Sequence, residues 1–155
     1  MRDLQHIRNF LQIDEHVSSG GMPEPPHFAA LRNAGFETVI NLALPTSDYA
    51  MPHEGELVSA QGMTYVHIPV NFEAPQPADF ERFTRIMDAC AGQKVFVHCA
   101  ANKRVSAFLF LYRLRSGSVS RDRAEADLKR IWQPDPAWHA FIDRELASLG
   151  QAPLK

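Results

Sequence analysis

Apolar residues along this chain recur with two different periods, and the changes between them divide it into elements. DLQHIRNF has the spacing of one or two helical turns, and LQI and VSSG read as short strands on either side of the turn residues Asp14 and Glu15. Pro25 and Pro26 start a helix with Phe28, Leu31 and Ala34 on one face, and Gly35 stops it. ETVINL reads as a buried strand. The turn formers of LPTSDYAMPHEGE then make a loop before a helix over about Glu54 to Ala60, closed by Gly62. MTYVHIPV is the next strand. Phe80, Phe83, Ile86, Met87 and Cys90 recur at helical spacing between Pro77 and Ala91, and the strand KVFVH follows Gly92. A helix ending at Gly117 comes next. SRDRAEADLKRIW is a further helix capped by Ser118 or Ser120, and AWHAFIDRELASL is the last. Strands alternating with helices through the first two thirds predict an α/β fold with a largely parallel sheet of four or five strands. Helices cover both of its faces, and the final third is helical.

Composition narrows the function classes. The 155 residues fit a single domain, 1–155, able to bury its own core. With 45% apolar and 22% charged residues and a formal charge of -2, the chain carries no global footprint for nucleic acid or anionic membrane. Two cysteines without a CxxC pair point to a reducing compartment, and we expect a cytoplasmic protein. No stretch approaches the roughly 18 apolar residues of a membrane span, and the N-terminus lacks the pattern of an export signal. The histidines show no ligand spacing, so neither metal nor cofactor is expected.

Candidate chemistry concentrates in VFVHCAANKRVSAF, where a strand ends at His98 and Cys99 and a helix begins. In parallel sheets ligands bind beyond the carboxyl ends of the strands. A loop there gathers backbone N–H groups without helical partners, and the helix dipole adds positive potential. Such a place holds an oxyanion and stabilises a thiolate, which makes Cys99 a candidate nucleophile. Ser106, in the first helical turn, is positioned to donate a hydrogen bond to the sulfur. Cys90 continues the apolar face of Phe83 and Met87 and reads as core. His67 reads as a strand histidine with a hydrogen-bond partner, and Trp138 and Phe141 as a packing face.

These residues resemble the cysteine-dependent protein-tyrosine and dual-specificity phosphatases, whose signature is HC, five residues, Arg, then Ser or Thr. SSGGMPEPPHFAALRNAGFETVINL, GMTYVHIPV and VFVHCAANKRVSAF, over roughly residues 14 to 115, resemble more closely a group of small bacterial phosphatase-like domains. That group is a domain of unknown function, sometimes fused to metallo-β-lactamase-fold hydrolases. The resemblance implies a three-layer cysteine-phosphatase fold and a phosphate-binding loop of Ala100, Ala101, Asn102, Lys103, Arg104, Val105 and Ser106, with His98 supporting Cys99. Asn102 replaces a glycine of the signature, and asparagine tolerates the left-handed conformation needed there. Val105 occupies the arginine position, so Arg104, one residue early, would have to curl back over the loop to replace it. The family's general-acid aspartate falls on Val70 or Asn71, and Glu73 is the nearest carboxylate able to protonate a leaving group. Asp79 is placed to support the first turn of its helix.

Three functions follow. The first is cysteine-dependent hydrolysis of a phosphomonoester, on a phosphorylated or other anionic small molecule or protein. The second is sulfur transfer through a Cys99 persulfide, suggested by the four residues between Cys99 and Arg104, a spacing seen in rhodanese-like loops. The third is a pseudophosphatase that binds an anion without turnover, suggested by the missing arginine and acid.

Overall fold

In the computed structural model, which describes residues 4–155, the alternation of side chains along two strands decides how the layers stack. Strand β3 (Thr38–Asn41) sends Val39 to one face of the sheet and Ile40 to the other. Strand β5 (Val95–His98) likewise sends Phe96 to the first face and Val95 and Val97 to the second. Successive side chains point to opposite sides of a pleated strand, so two apolar faces require two covering layers. On the first face α1 (Pro25–Asn33) contributes Phe28 and Leu31, and α2 (Glu54–Ala60) contributes Val58. On the second face lie α3 (Pro77–Ala89), α4 (Lys103–Ser116), α5 (Arg121–Ile131) and α6 (Pro136–Ser148), with Phe83, Phe108, Leu128 and Trp138 among their buried residues.

The sheet is completed by β1 (Leu11–Gln12), β2 (Val17–Gly20) and β4 (Thr64–His67), in the order β1-β2-β5-β3-β4. All pairings are parallel except β1 with β2. The register puts Gly20 of β2 and Asn41 of β3 opposite His98 of the central β5. Cys99 therefore leaves the sheet at the middle of its carboxyl edge.

The expected elements form, with four adjustments. The first helical turn is a short 3-10 segment, Leu4–His6, and the Asp3 assigned to it lies outside the described residues. β4 is an edge strand and half-exposed, and the chain beyond it continues the ladder only through the amides of Ile68 and Val70, bonded to Asn41 O and Leu42 O. Of the two serines offered as a cap for α5, Ser120 is the one used, its Oγ accepting from the Arg123 amide at 3.2 Å. α4 is buried nearly all round, which removes the polar stripe that would have shown its orientation. Among the described residues no helix is long and apolar enough to cross a membrane.

Candidate active site

Residues 99 to 106 form a loop running into the first turn of α4, and its shape depends on where its carbonyl oxygens go. Cys99 O faces His98 Nδ1 at 3.4 Å. Ala100 O accepts from the Met22 amide at 3.0 Å and Ala101 O from Asn9 Nδ2 at 3.0 Å. Asn102 O accepts from the Ser106 amide at 2.8 Å and Lys103 O from the Ser106 hydroxyl at 2.7 Å. The four carbonyls of residues 100 to 103 thus accept from protein donors, and Cys99 O faces a ring nitrogen. The first-turn amides of α4 have no acceptor within the helix, so an anion placed over the loop meets N–H groups and positive dipole potential.

Asn102 makes this turn possible. Its φ of 67° and ψ of 1° are left-handed, as the sequence led us to expect. Its Nδ2 donates to Asn9 O at 2.8 Å and to Ser19 Oγ at 3.0 Å, so the loop is fastened to the segment before β1 and to β2. Gly21 lies directly beneath, bridged to Ala101. A Cβ at Gly21 would stand 2.5 Å from Ala100 O, closer than non-bonded atoms approach. Gly21→Ala should therefore displace that carbonyl and lower kcat/KM for para-nitrophenyl phosphate by ~10²-fold, as expected for a misplacement near 1 Å. Steady-state rates alongside a circular dichroism melt would separate loop damage from unfolding, and wild-type turnover would count against this account of the loop.

The loop opens into a cleft of about 380 Å³ lined by Cys99, Ala100, Ala101, Lys103 and Arg104, and walled by Ser47, Asp48, Phe72 and Glu73 from two other loops. Arg104, only 4% exposed, does not curl back over the loop; it already lies along the cleft. Its Nη1 donates to Val70 O at 2.9 Å, and both terminal nitrogens stand 3.5 Å from Ser47 Oγ. The guanidinium lies 5.6 Å from the Phe72 ring centre, and its buried Nε has no hydrogen-bond partner among the described residues. Val105, one position on, is fully buried in the core. Lys103 is exposed at the rim, its Nζ 5.4 Å from the Trp132 ring centre and 6.0 Å from that of Phe72.

The expected hydrogen bond from Ser106 to the Cys99 sulfur is not formed. The Ser106 hydroxyl bonds back to Lys103 O, a local competition usual for serine near a helix start, and accepts from Trp132 Nε1 at 3.1 Å. His98 is fully buried and pairs through Nε2 with Glu54 Oε2, and Glu54 Oε1 accepts from Asn41 Nδ2 at 3.2 Å. Asn41 Nδ2 also donates to the Tyr65 hydroxyl at 3.1 Å. Burial pushes the Tyr65 hydroxyl pKa up, against the Asn41 hydrogen bond and with the aid of the Glu54 charge, so the phenol keeps its proton.

At the family's acid position, Val70 is buried, and the Asn71 side chain accepts from the Glu73 amide at 2.9 Å. Asp79 lies in the first turn of α3, as expected, and also pairs with Arg82. Cys90 is partly buried at the end of α3, and burial raises its thiol pKa despite a side-chain hydrogen bond with Thr38. His67 sits with Nε2 2.6 Å from Ala43 O. Asn9, Ser47, Asp48 and Glu54 had no signature in the sequence. Asp48 and Ser47 lie in a turn-rich loop, and Glu54 reads there as an acidic residue complementing a helix start. Among the described residues no group of three or more His, Cys, Asp or Glu side chains is placed to hold a metal ion.

A cysteine at the carboxyl end of the central parallel strand, followed by an amide-lined turn and a buried helix, defines the fold and site of the cysteine-dependent phosphatases. Residues 10–140 match the family described as DSP-PTPase phosphatase fused to NAD+ kinase, and the chain belongs to that family. A candidate phosphatase of the DUF442 group from Shewanella putrefaciens is 37% identical, over 95% of this chain and 97% of that one, with a TM-score of 0.86. The active form of Tk-PTP superimposes with a TM-score of 0.74 at 20% identity, over 90% of this chain and 97% of its own. The catalytic core of the Saccharomyces cerevisiae PP-IP phosphatase SIW14 does so with a TM-score of 0.72 at 14% identity, over 96% and 97%. These last two likenesses are of fold. No curated protein matches the chain.

Proposed function

We propose that the protein hydrolyses phosphomonoesters through a phosphocysteine at Cys99. The observation that carries this reading is the loop in which carbonyls 100 to 103 all accept from protein donors, leaving N–H groups to face an anion above the sulfur. Phosphate oxygens lie against the amides of residues 100 to 105, and the Arg104 guanidinium supplies the charge that Val105 cannot. The Cys99 thiolate attacks phosphorus as the P–O bond to the leaving group breaks. Glu73 or Asp48 gives its proton to the departing oxygen, and the same carboxylate then takes a proton from the water that cleaves the S–P bond, releasing inorganic phosphate and the thiolate. Ser106 supports the returning thiolate once its hydroxyl rotates from Lys103 O.

The family match and the arginine beside the nucleophile support hydrolysis over sulfur transfer or anion binding alone. The substrate class is an anionic phosphate monoester. Because the family description couples these domains to an NAD+ kinase, the 2′-phosphate of NADP+ belongs beside phosphotyrosine peptide and para-nitrophenyl phosphate in the test panel. Wild-type protein should release phosphate from at least one of these and, on rapid quenching with a labelled phosphoryl donor, carry phosphate at Cys99. Cys99→Ser should lose more than ~10³-fold in rate. Turnover that survives this change would overturn the reading.

A further inference from the structure

Glu54 is a carboxylate only 4% exposed, and no step above uses it. A buried carboxylate is costly unless its oxygens are satisfied, and both of these are engaged, one by His98 and the other by Asn41. His98, fully buried between strands β2 and β3, precedes Cys99 in the chain. Its two ring nitrogens face two oxygens, Glu54 Oε2 on one side and Cys99 O at 3.4 Å on the other. With Glu54 ionised, both oxygens are acceptors. A neutral imidazole carries one N–H and one bare nitrogen, and the bare nitrogen would here oppose an oxygen lone pair. The arrangement is satisfied when both nitrogens carry protons.

We propose that Glu54 is a positioning residue for Cys99: its carboxylate holds His98 as an imidazolium bonded to the Cys99 carbonyl, and that fixed positive charge favours the thiolate. The inference rests on Cys99 being the nucleophile. It makes the acidic end of the active range depend on a helix of the opposite sheet face, with two strands, β4 and β5, between it and the signature loop in the chain. The other titratable groups around the pair are Tyr65 and His67 of β4 and His53 before α2, with Arg104 of α4 along the cleft. Tyr65 keeps its proton, His67 is bound to Ala43 O and His53 is exposed, so none of them replaces the buried Glu54 charge.

Two measurements test this without using turnover, so a failed phosphatase reading would leave them interpretable. In a Cys90→Ala background, where Cys99 is the sole thiol, the pH dependence of iodoacetamide alkylation reports the thiolate. Glu54→Gln keeps the side-chain shape and removes the charge; the midpoint should rise by about 1 pH unit. His98→Asn should raise it similarly, and the double variant should rise no further than His98→Asn alone. An unchanged midpoint in folded Glu54→Gln protein, or additive shifts, would overturn the proposal. Should that variant not fold, the wild-type protein answers directly: the 15N shifts of the His98 ring should show both nitrogens protonated from pH 6 to 8, and a bare nitrogen in that range would refute it.

Discussion

Arg104→Ala is expected to lower kcat/KM for para-nitrophenyl phosphate by about 10²–10³-fold, the effect of removing one preorganised charge donor from a transition state. The argument rests on direction. Lys103, Arg104 and Val105 open α4, and each step turns the side chain by roughly 100°. Val105 is committed to the core and Lys103 to the rim, so Arg104 is the residue of the three whose charge is buried beside Cys99. Ser47 Oγ and Val70 O engage the terminal nitrogens, and Nε has no partner among the described residues. A buried guanidinium so incompletely paired is unfavourable for folding and becomes favourable when an anion arrives. Inorganic phosphate should therefore stabilise the wild-type protein by about 2.7 kcal/mol at a hundredfold excess over Kd, seen as a higher melting temperature, and stabilise Arg104→Ala much less. If Arg104→Ala keeps wild-type kcat/KM, another cation carries the role, and Lys103→Ala becomes the variant to measure.

The largest expected effect on stability belongs to Trp138→Ala, at about 3–5 kcal/mol, read from urea denaturation. Trp138 is fully buried in α6, against Phe108 and Phe141 on one side and Phe72 and Trp132 on the other. Its Nε1 donates to Phe72 O at 2.6 Å, in the loop that walls the cleft. Removing the ring leaves a cavity and an unpaired carbonyl together. Trp138→Phe should restore most of the packing but not the hydrogen bond, and cost about 1–3 kcal/mol. A loss below 1 kcal/mol for the alanine variant would mean that α6 packs more loosely than the structure has it.

Local rules of conformation made most of the fold legible. The Glu54–Ala60 helix lies within the bounds its flanking turn residues implied, and Asn102 adopts the left-handed backbone its side chain tolerates. Directions of side chains were not legible. Counting along the signature put Arg104 out of place, because a count assumes that the neighbouring residue faces the same way. α4 is buried on nearly every side, and nothing in its pattern shows that residue 104 faces the cleft while residue 105 faces the core. The Ser106 hydroxyl was expected at the sulfur because of proximity in sequence, whereas the nearer carbonyl of Lys103 takes it. Glu54 and Asn9 meet the loop only through tertiary structure, 44 residues from His98 in one case and 92 from Ala101 in the other.

The clamp between Asn9 and the loop also bears on how the signature could be transplanted. Asn9 gives its amide hydrogen to Ala101 O and its carbonyl to Asn102, while Met22 holds Ala100 O. A peptide of residues 95–117 carries the whole signature but none of these partners. Freed from them, its carbonyls would turn toward solvent as readily as its amides. The motif is thus not a portable cassette: grafted onto another strand and helix, it would need counterparts of residues 9 and 22 before it could hold an anion.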